Sequence, residues 1–268
     1  MIKLSIKKDD FEFNTGLLRP KDNLYPKFWN KNTLNPIVSR KLMKIADDVI
    51  KSLKLGVDVE DVIITGSIAS YNWHELSDID LHIMLDFEKI DENFDLVKRM
   101  LDQIRINWNK KHNILIDEKE VEIYFQHYTE PHEANGIWSL QLDKWLTAPV
   151  KLNPEIDIAT TEKKAEAIAR QIEHLFEMFK ERKFKESYEY AGKVKVKIAR
   201  MRQLGLSDQG IYSPENLAFK MLRNSGYLEK LSALKIEAYD RMMSLAIKSS
   251  TIDENHAWRN YINQEKQR

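Results

Sequence analysis

Two aspartates one residue apart, Asp78 and Asp80, are the side chains of this 268-residue sequence best placed to do chemistry. They sit in Ser77-Asp78-Ile79-Asp80-Leu81-His82-Ile83, an alternation that reads as a strand. Residues two apart in a strand share a face. Both carboxylates therefore project together, while Ile79, Leu81 and Ile83 turn to a core. Carboxylates so close repel each other unless a cation lies between them. Magnesium is the natural occupant, because it takes hard oxygen ligands and is commonly held by one or two carboxylates plus substrate phosphates.

Ten residues before Ser77, the β-branched run Val59 to Thr65 ends in Gly66-Ser67. Gly66 lets backbone approach closely. Residues 67–74 are expected as a short helix whose free N–H groups would meet a phosphate, with the Ser67 hydroxyl as a further donor. A third carboxylate should come from a neighbouring strand, and Glu120-Val121-Glu122-Ile123-Tyr124-Phe125-Gln126 supplies it. There Val121, Ile123 and Phe125 point one way and Glu122 the other. Glu120 shares that face and is the rival; Glu122 is preferred because apolar neighbours frame it on both sides.

Gly66-Ser67, the gap, Ser77-Asp78-Ile79-Asp80-Leu81 and Val121-Glu122-Ile123 together resemble the signature of the DNA polymerase β-like nucleotidyltransferase superfamily. The topology extends the resemblance to about residues 37–126. Ser213-Pro214-Glu215-Asn216-Leu217-Ala218-Phe219 and Gly226-Tyr227 resemble uncharacterised bacteriophage nucleotidyltransferases. The resemblance implies a small mixed sheet flanked by helices. It also implies a three-carboxylate site with two Mg2+ ions, Mn2+ being the alternative, bridged by Asp78 and Asp80. Glu122 would touch one ion and help deprotonate an acceptor hydroxyl. Gly66, Ser67 and Ser77 would hold the phosphates of an NTP, with ATP as the favoured donor. The expected acceptor is an RNA or tRNA 3′ end. A protein hydroxyl or a small molecule, of the toxin–antitoxin or defence type, a second nucleotide, and a non-catalytic nucleotide-binding regulator stay open.

The elements that must position these residues follow from periodicity. Helices are expected over 37–55 and 92–110, and strands over 59–65, 79–85 and 120–126. Residues 127–160 read as loop, with Pro131, Gly136, Pro149 and Pro154. Within them, Asn135-Gly136-Ile137-Trp138-Ser139 reads from its position as a mobile loop over the cleft. Helices are then expected over 161–182, 184–204, 214–224, 227–248 and 253–265. The fold class is α+β, a nucleotidyltransferase domain over 36–150 followed by an all-helical domain over 151–268. An irregular arm, 1–35, is expected to pack on the body through its aromatic residues.

Composition narrows the function classes. There are 8 Gly and 7 Pro, which favours long helices over a loop-rich barrel, and no Cys, which excludes disulfides, thiolate metal sites and a thiol nucleophile. No apolar run approaches the ~18 residues that span a bilayer. MIKLSIKKDD lacks an apolar signal core, so the chain reads as cytoplasmic, without a membrane partner. Net charge is zero, yet residues 160–268 carry 21 basic and 15 acidic residues. That half can meet an anion. On residues 184–204, Lys193, Lys197 and Arg200 recur at helical spacing beside Val194, Ile198 and Met201. Lys193 and Lys197 are taken as nucleotide-binding, and the row equally suits an RNA backbone. His82 shares the face of Asp80 and lines the cleft. His127 and His132 flank Pro131 near its mouth, and Trp73 and Trp108 read as core.

Overall fold

Two-residue alternation builds the central sheet of the computed structural model, in which residues 11–132 and 134–244 are described. A small antiparallel hairpin, β1 (Trp29–Asn30) and β2 (Thr33–Leu34), precedes α1 (Pro36–Leu53). Then come β3 (Val59–Thr65), β4 (Ile79–Leu85), α2 (Phe94–Lys111), β5 (Leu115–Ile116), β6 (Lys119–His127), β7 (Ile137–Ser139) and β8 (Lys144–Thr147). The six-stranded sheet has the order β5-β6-β4-β3-β7-β8. It is mixed: β4 and β6 run parallel, and the other described pairs are antiparallel. Parallel neighbours need a long crossover, and α2 provides it.

The core lies on one face of this sheet. Ile79, Leu81, Ile83 and Leu85 of β4 are fully buried there. They join Val62 and Ile64, Val121 and Ile123, and the apolar stripes of α1 (Leu42, Ile45, Val49) and α2 (Val97, Leu101). Each such side chain stabilises the fold by about 1.5–3 kcal/mol on burial. The alternation that buries these residues sends Asp80, His82, Glu122 and Tyr124 to the face away from the helices. Leu24, Tyr25, Phe28, Trp29 and Leu34 enter the same core, so the described part of the arm belongs to it.

The C-terminal part is helical: α3 (Ile158–Lys180), α4 (Phe184–Gln209), α5 (Pro214–Asn224) and α6 (Tyr227–Met243). The chain divides into two compact units. One joins residues 11–165 to residues 202–225, so α5 belongs with the sheet. The other comprises, among the described residues, 166–201 and 226–244. Its helices are tied by Tyr227 to Glu173 (3.2 Å), Lys197 to Gln171 (3.2 Å) and Lys195 to Ser232 (3.1 Å). No described helix is long and apolar enough to cross a membrane.

Three sequence expectations are corrected. Residues 67–74 form turns and bends, not a helix. Their side chains compete for the backbone: Ser70 Oγ accepts from Asn72 N (3.2 Å) and donates to the Ser67 carbonyl (3.1 Å). The 127–160 connection holds β7 and β8. Ile137, Trp138 and Ser139 are buried in the sheet and are not a loop over the cleft. The arm contains the β1–β2 hairpin. The expected helix over 253–265, and residues 245–248 of the one before it, lie outside the described residues.

Candidate functional site

The parallel pairing of β4 with β6 sets Asp80 opposite Glu122, and the antiparallel pairing with β3 sets Asp80 opposite Thr65. Asp78 precedes β4 by one residue. Asp78, Asp80 and Glu122 each offer an oxygen, and these atoms lie within 4.8 Å of one another. Glu120 is exposed and pairs with Leu115 of β5. Burial, then the charges of Asp78 and Glu122, push the Asp80 carboxyl up to about 7. The Arg223 guanidinium and the nearby Tyr124 hydroxyl oppose that shift. A half-buried set of three carboxylates, all oxygen donors, suits a hard divalent cation and repels itself without one.

Gly66 shows how tightly the set is framed. It takes φ +75°, and a Cβ there would lie 1.9 Å from Asp80 Oδ2. We expect Gly66→Ala to displace the Asp80 carboxylate. It should weaken divalent-ion binding by about tenfold or more and cost about 1–2 kcal/mol of stability for the left-handed backbone. Calorimetric ion titration and urea unfolding check the two effects.

The segment from Gly66 to Asp78 is pinned at several points. Ser67 Oγ and Ser77 Oγ share a hydrogen bond of 2.7 Å, and Ser77 Oγ accepts from His74 N at 2.9 Å. Lys119, buried at the start of β6, donates to the His74 carbonyl at 3.1 Å and also to that of Glu75. Trp29 Nε1 donates to the Ile68 carbonyl at 2.9 Å, and Trp73 Nε1 to that of Asn23 at 2.7 Å. Trp73 thus packs at the edge of the core, as Trp108 does.

Beside Glu122, Tyr124 donates its hydroxyl to Glu122 Oε2 at 2.6 Å. Burial, then this bond, raise its pKa, so it stays a donor. His82 stacks on the Tyr124 ring at 4.8 Å, and Arg105 lies 5.0 Å from the ring centroid. His132 reaches the same face, 3.0 Å from Thr65 Oγ1. His127 lies elsewhere, at the far end of β6, among Phe87, Phe94 and Asp86.

Sequence reasoning missed the cations of this unit. Arg223 on α5 acts on both Asp80 and His74, and Lys220 acts on His74. The charges acting on Lys220 are themselves cations, Arg223 and Arg202, and after burial they push its ammonium down to about 8. His74 is held neutral, near 4, by burial and then by Arg223 and Lys220. A crowded group of like charges coupled to an acid cluster would suit a polyanion. Three-residue spacing on α5 was the available signal, but it is weak without knowing that α5 belongs with the sheet. Lys193 and Lys197 fall in the other unit.

No family model matches the chain. No curated protein matches it. Among solved structures, spectinomycin adenyltransferase AAD(9) from Enterococcus faecialis, determined with ATP and spectinomycin, is similar at 14% identity. The match covers 81% of this chain and 94% of that one, with a TM-score of 0.26. A likeness so loose carries no inference about chemistry.

Proposed function

We propose that this chain is a divalent-metal-dependent nucleotidyltransferase that moves an NMP from an NTP, with ATP the favoured donor, to a hydroxyl, foremost that of an RNA or tRNA 3′ end. The supporting observation is the juxtaposition, within one unit, of the Asp78, Asp80 and Glu122 oxygens with the cations Lys220 and Arg223. An acid cluster alone would hold an ion, and a cation cluster alone an anion. Both together fit a metal-chelated polyphosphate.

In this reading Asp78, Asp80 and Glu122 hold magnesium, with two ions as the expected number. Bound there, magnesium would withdraw charge from the reacting phosphate and lower the pKa of the acceptor hydroxyl. Lys220 and Arg223 receive the β- and γ-phosphates, and Arg202 adds positive charge beside them. Gly66, Ser67 and Ser77 are proposed to line the phosphates as well. The acceptor oxygen bonds to the α-phosphorus, the bond to the β-phosphate breaks, and pyrophosphate departs with that electron pair. The hydroxyl proton is released to solvent. Lys193 and Lys197 are proposed as a second cationic surface for the nucleotide or an RNA backbone.

Incubation with each α-labelled NTP, magnesium and an RNA-plus-protein extract tests the reading. Label on RNA supports it as stated. Label on protein or on a small molecule keeps the transferase and replaces the acceptor. Binding without turnover would make the chain a nucleotide-sensing regulator. The phosphate seat is tested separately. Lys220→Ala and Arg223→Ala should each weaken NTP binding by about tenfold or more, since charge-assisted hydrogen bonds to phosphate carry about 1.5–3 kcal/mol. Lys193→Glu with Lys197→Glu should instead lower RNA affinity and flatten its salt dependence. Filter binding across a salt series separates the two cation groups.

A further inference from the structure

The Glu122 carboxylate does not present both oxygens freely. Oε2 accepts the Tyr124 hydroxyl at 2.6 Å. The ring that carries this hydroxyl is held in place: His82 stacks on it at 4.8 Å with an 18° interplanar angle, and the Arg105 guanidinium lies 5.0 Å from its centroid. His82 is fixed in turn. Its Nδ1 lies 2.9 Å from Gln126 Oε1, and His132 Nδ1 lies 3.0 Å from the same oxygen. Gln126 Nε2 donates to the Glu130 carbonyl at 3.2 Å, which identifies the other amide atom as the acceptor. A carbonyl oxygen only accepts, so both imidazoles carry their proton on Nδ1. His132 Nε2 lies 3.0 Å from Thr65 Oγ1, whose hydroxyl also reaches the Gly136 carbonyl at 3.3 Å. Thr65 stands opposite Asp80 on β3. A chain of side chains thus runs from the strand beside Asp80 to the third carboxylate.

We propose that Tyr124 is a positioning residue that makes Glu122 a one-oxygen ligand and so selects an ion of magnesium size against calcium. The proposal rests on the reading that Asp78, Asp80 and Glu122 hold a divalent ion. Magnesium demands near-ideal octahedral geometry, whereas calcium accepts six to eight oxygens and often takes both oxygens of one carboxylate. A phenol bonded to Oε2 takes one of its lone pairs and competes with an ion for the second oxygen. The stack with His82 and the Arg105 contact keep the phenol from swinging away when an ion arrives. The hydroxyl donates to Oε2 and so offers it a partner that no ion has to supply.

Competition binding tests this without turnover. Bound Mn2+ is read by electron paramagnetic resonance on the full chain and displaced by Mg2+ or by Ca2+. Tyr124→Phe keeps the ring between its neighbours and deletes only the hydroxyl. The ratio of calcium to magnesium competition should move toward calcium by about tenfold, the size of effect typical of a partner behind a metal ligand. In a Glu122→Gln background, adding Tyr124→Phe should leave the ratio where Glu122→Gln put it, because the hydroxyl acts through that carboxylate. A ratio unchanged by Tyr124→Phe, with Mn2+ still bound, overturns the proposal and leaves the ion-binding triad standing. A shift that persists without Glu122 also overturns it, since the hydroxyl would then act on the ion or the fold directly. Failure of the wild-type chain to bind Mn2+ overturns both this proposal and the reading it rests on.

Discussion

Asp80→Asn is expected to reduce nucleotidyl transfer by about a thousandfold or more while raising the melting temperature of the metal-free protein. The two effects share one cause. Asp80 belongs to a mutually repelling set, and burial together with the charges of Asp78 and Glu122 holds its carboxyl at about 7 against 3.8 for the group free in water. Between those values the folded chain keeps a proton that the unfolded chain releases. That contribution to stability is fully present below about 4 and is lost as pH rises through about 7. An amide mimics the protonated acid at every pH. Its advantage over wild type should therefore be absent only below about pH 4, be partial near pH 5 and be larger at pH 8. Allowing for relaxation, a gain of about 1–2 kcal/mol is reasonable, or about 3–6 °C for a chain of this size. Saturating Mg2+ should shrink the gain, because it stabilises only the wild type by mass action. Melting curves at pH 5 and pH 8, with and without Mg2+, check all four conditions. Equal melting temperatures throughout would mean that Asp80 does not sit in a repulsive set.

Glu122→Gln should cost at least about a hundredfold in turnover, whereas Glu120→Gln should stay within about twofold. Partners behind a ligand already cost 10–100-fold, so the ligand itself should cost no less. Both residues lie on β6, two apart, and point to one face. What separates them is depth. Glu122 stands opposite Asp80 in the sheet with its oxygen inside the cluster, and Glu120 is exposed where β6 pairs with β5. Gln keeps the shape of Glu122 and still accepts the Tyr124 hydrogen bond, so a loss of turnover reads the missing charge. Steady-state kinetics of both variants at several Mg2+ concentrations provide the check. A reversed order would move the third ligand to Glu120.

Much of the central sheet was legible because period-two alternation is a local signal. Ile79, Leu81 and Ile83 announce their burial, and Asp78 and Asp80 are left on the other face whatever the sheet becomes. The framing of Glu122 by Val121 and Ile123 is equally local. Which strands neighbour each other is not. The parallel register that sets Asp80 opposite Glu122 spans a crossover through α2, and no residue type encodes it. The turn after Gly66 misled for a definite reason. Residues 67–74 read as a short helix after Gly66, yet the hydroxyls of Ser67, Ser70 and Ser77 are engaged in closing a loop. β7 and β8 were hidden among Pro131, Gly136 and Pro149, and strands of three and four residues leave almost no periodicity to detect.

The cations show a different limit. The run from Lys180 to Arg202 is conspicuous by density, whereas Lys220 and Arg223 are two basic residues on an otherwise unremarkable helix. Their coupling to the acid cluster arises from α5 belonging with the sheet, a consequence of long-range packing. Tyr124 was passed over for a related reason. A tyrosine in a strand is ordinary, and only the register with His82 and the contact with Glu122 turn it into part of the site.

Calorimetric titration of ATP onto the full chain, first with Mg2+ and then with EDTA, tests the central claim most directly. If Asp78, Asp80 and Glu122 bind the nucleotide through a shared ion, Mg2+ should tighten binding to the wild type by about tenfold or more, and Asp80→Asn should erase that gain. Equal affinity with and without Mg2+, or a magnesium gain that survives in Asp80→Asn, would contradict the account.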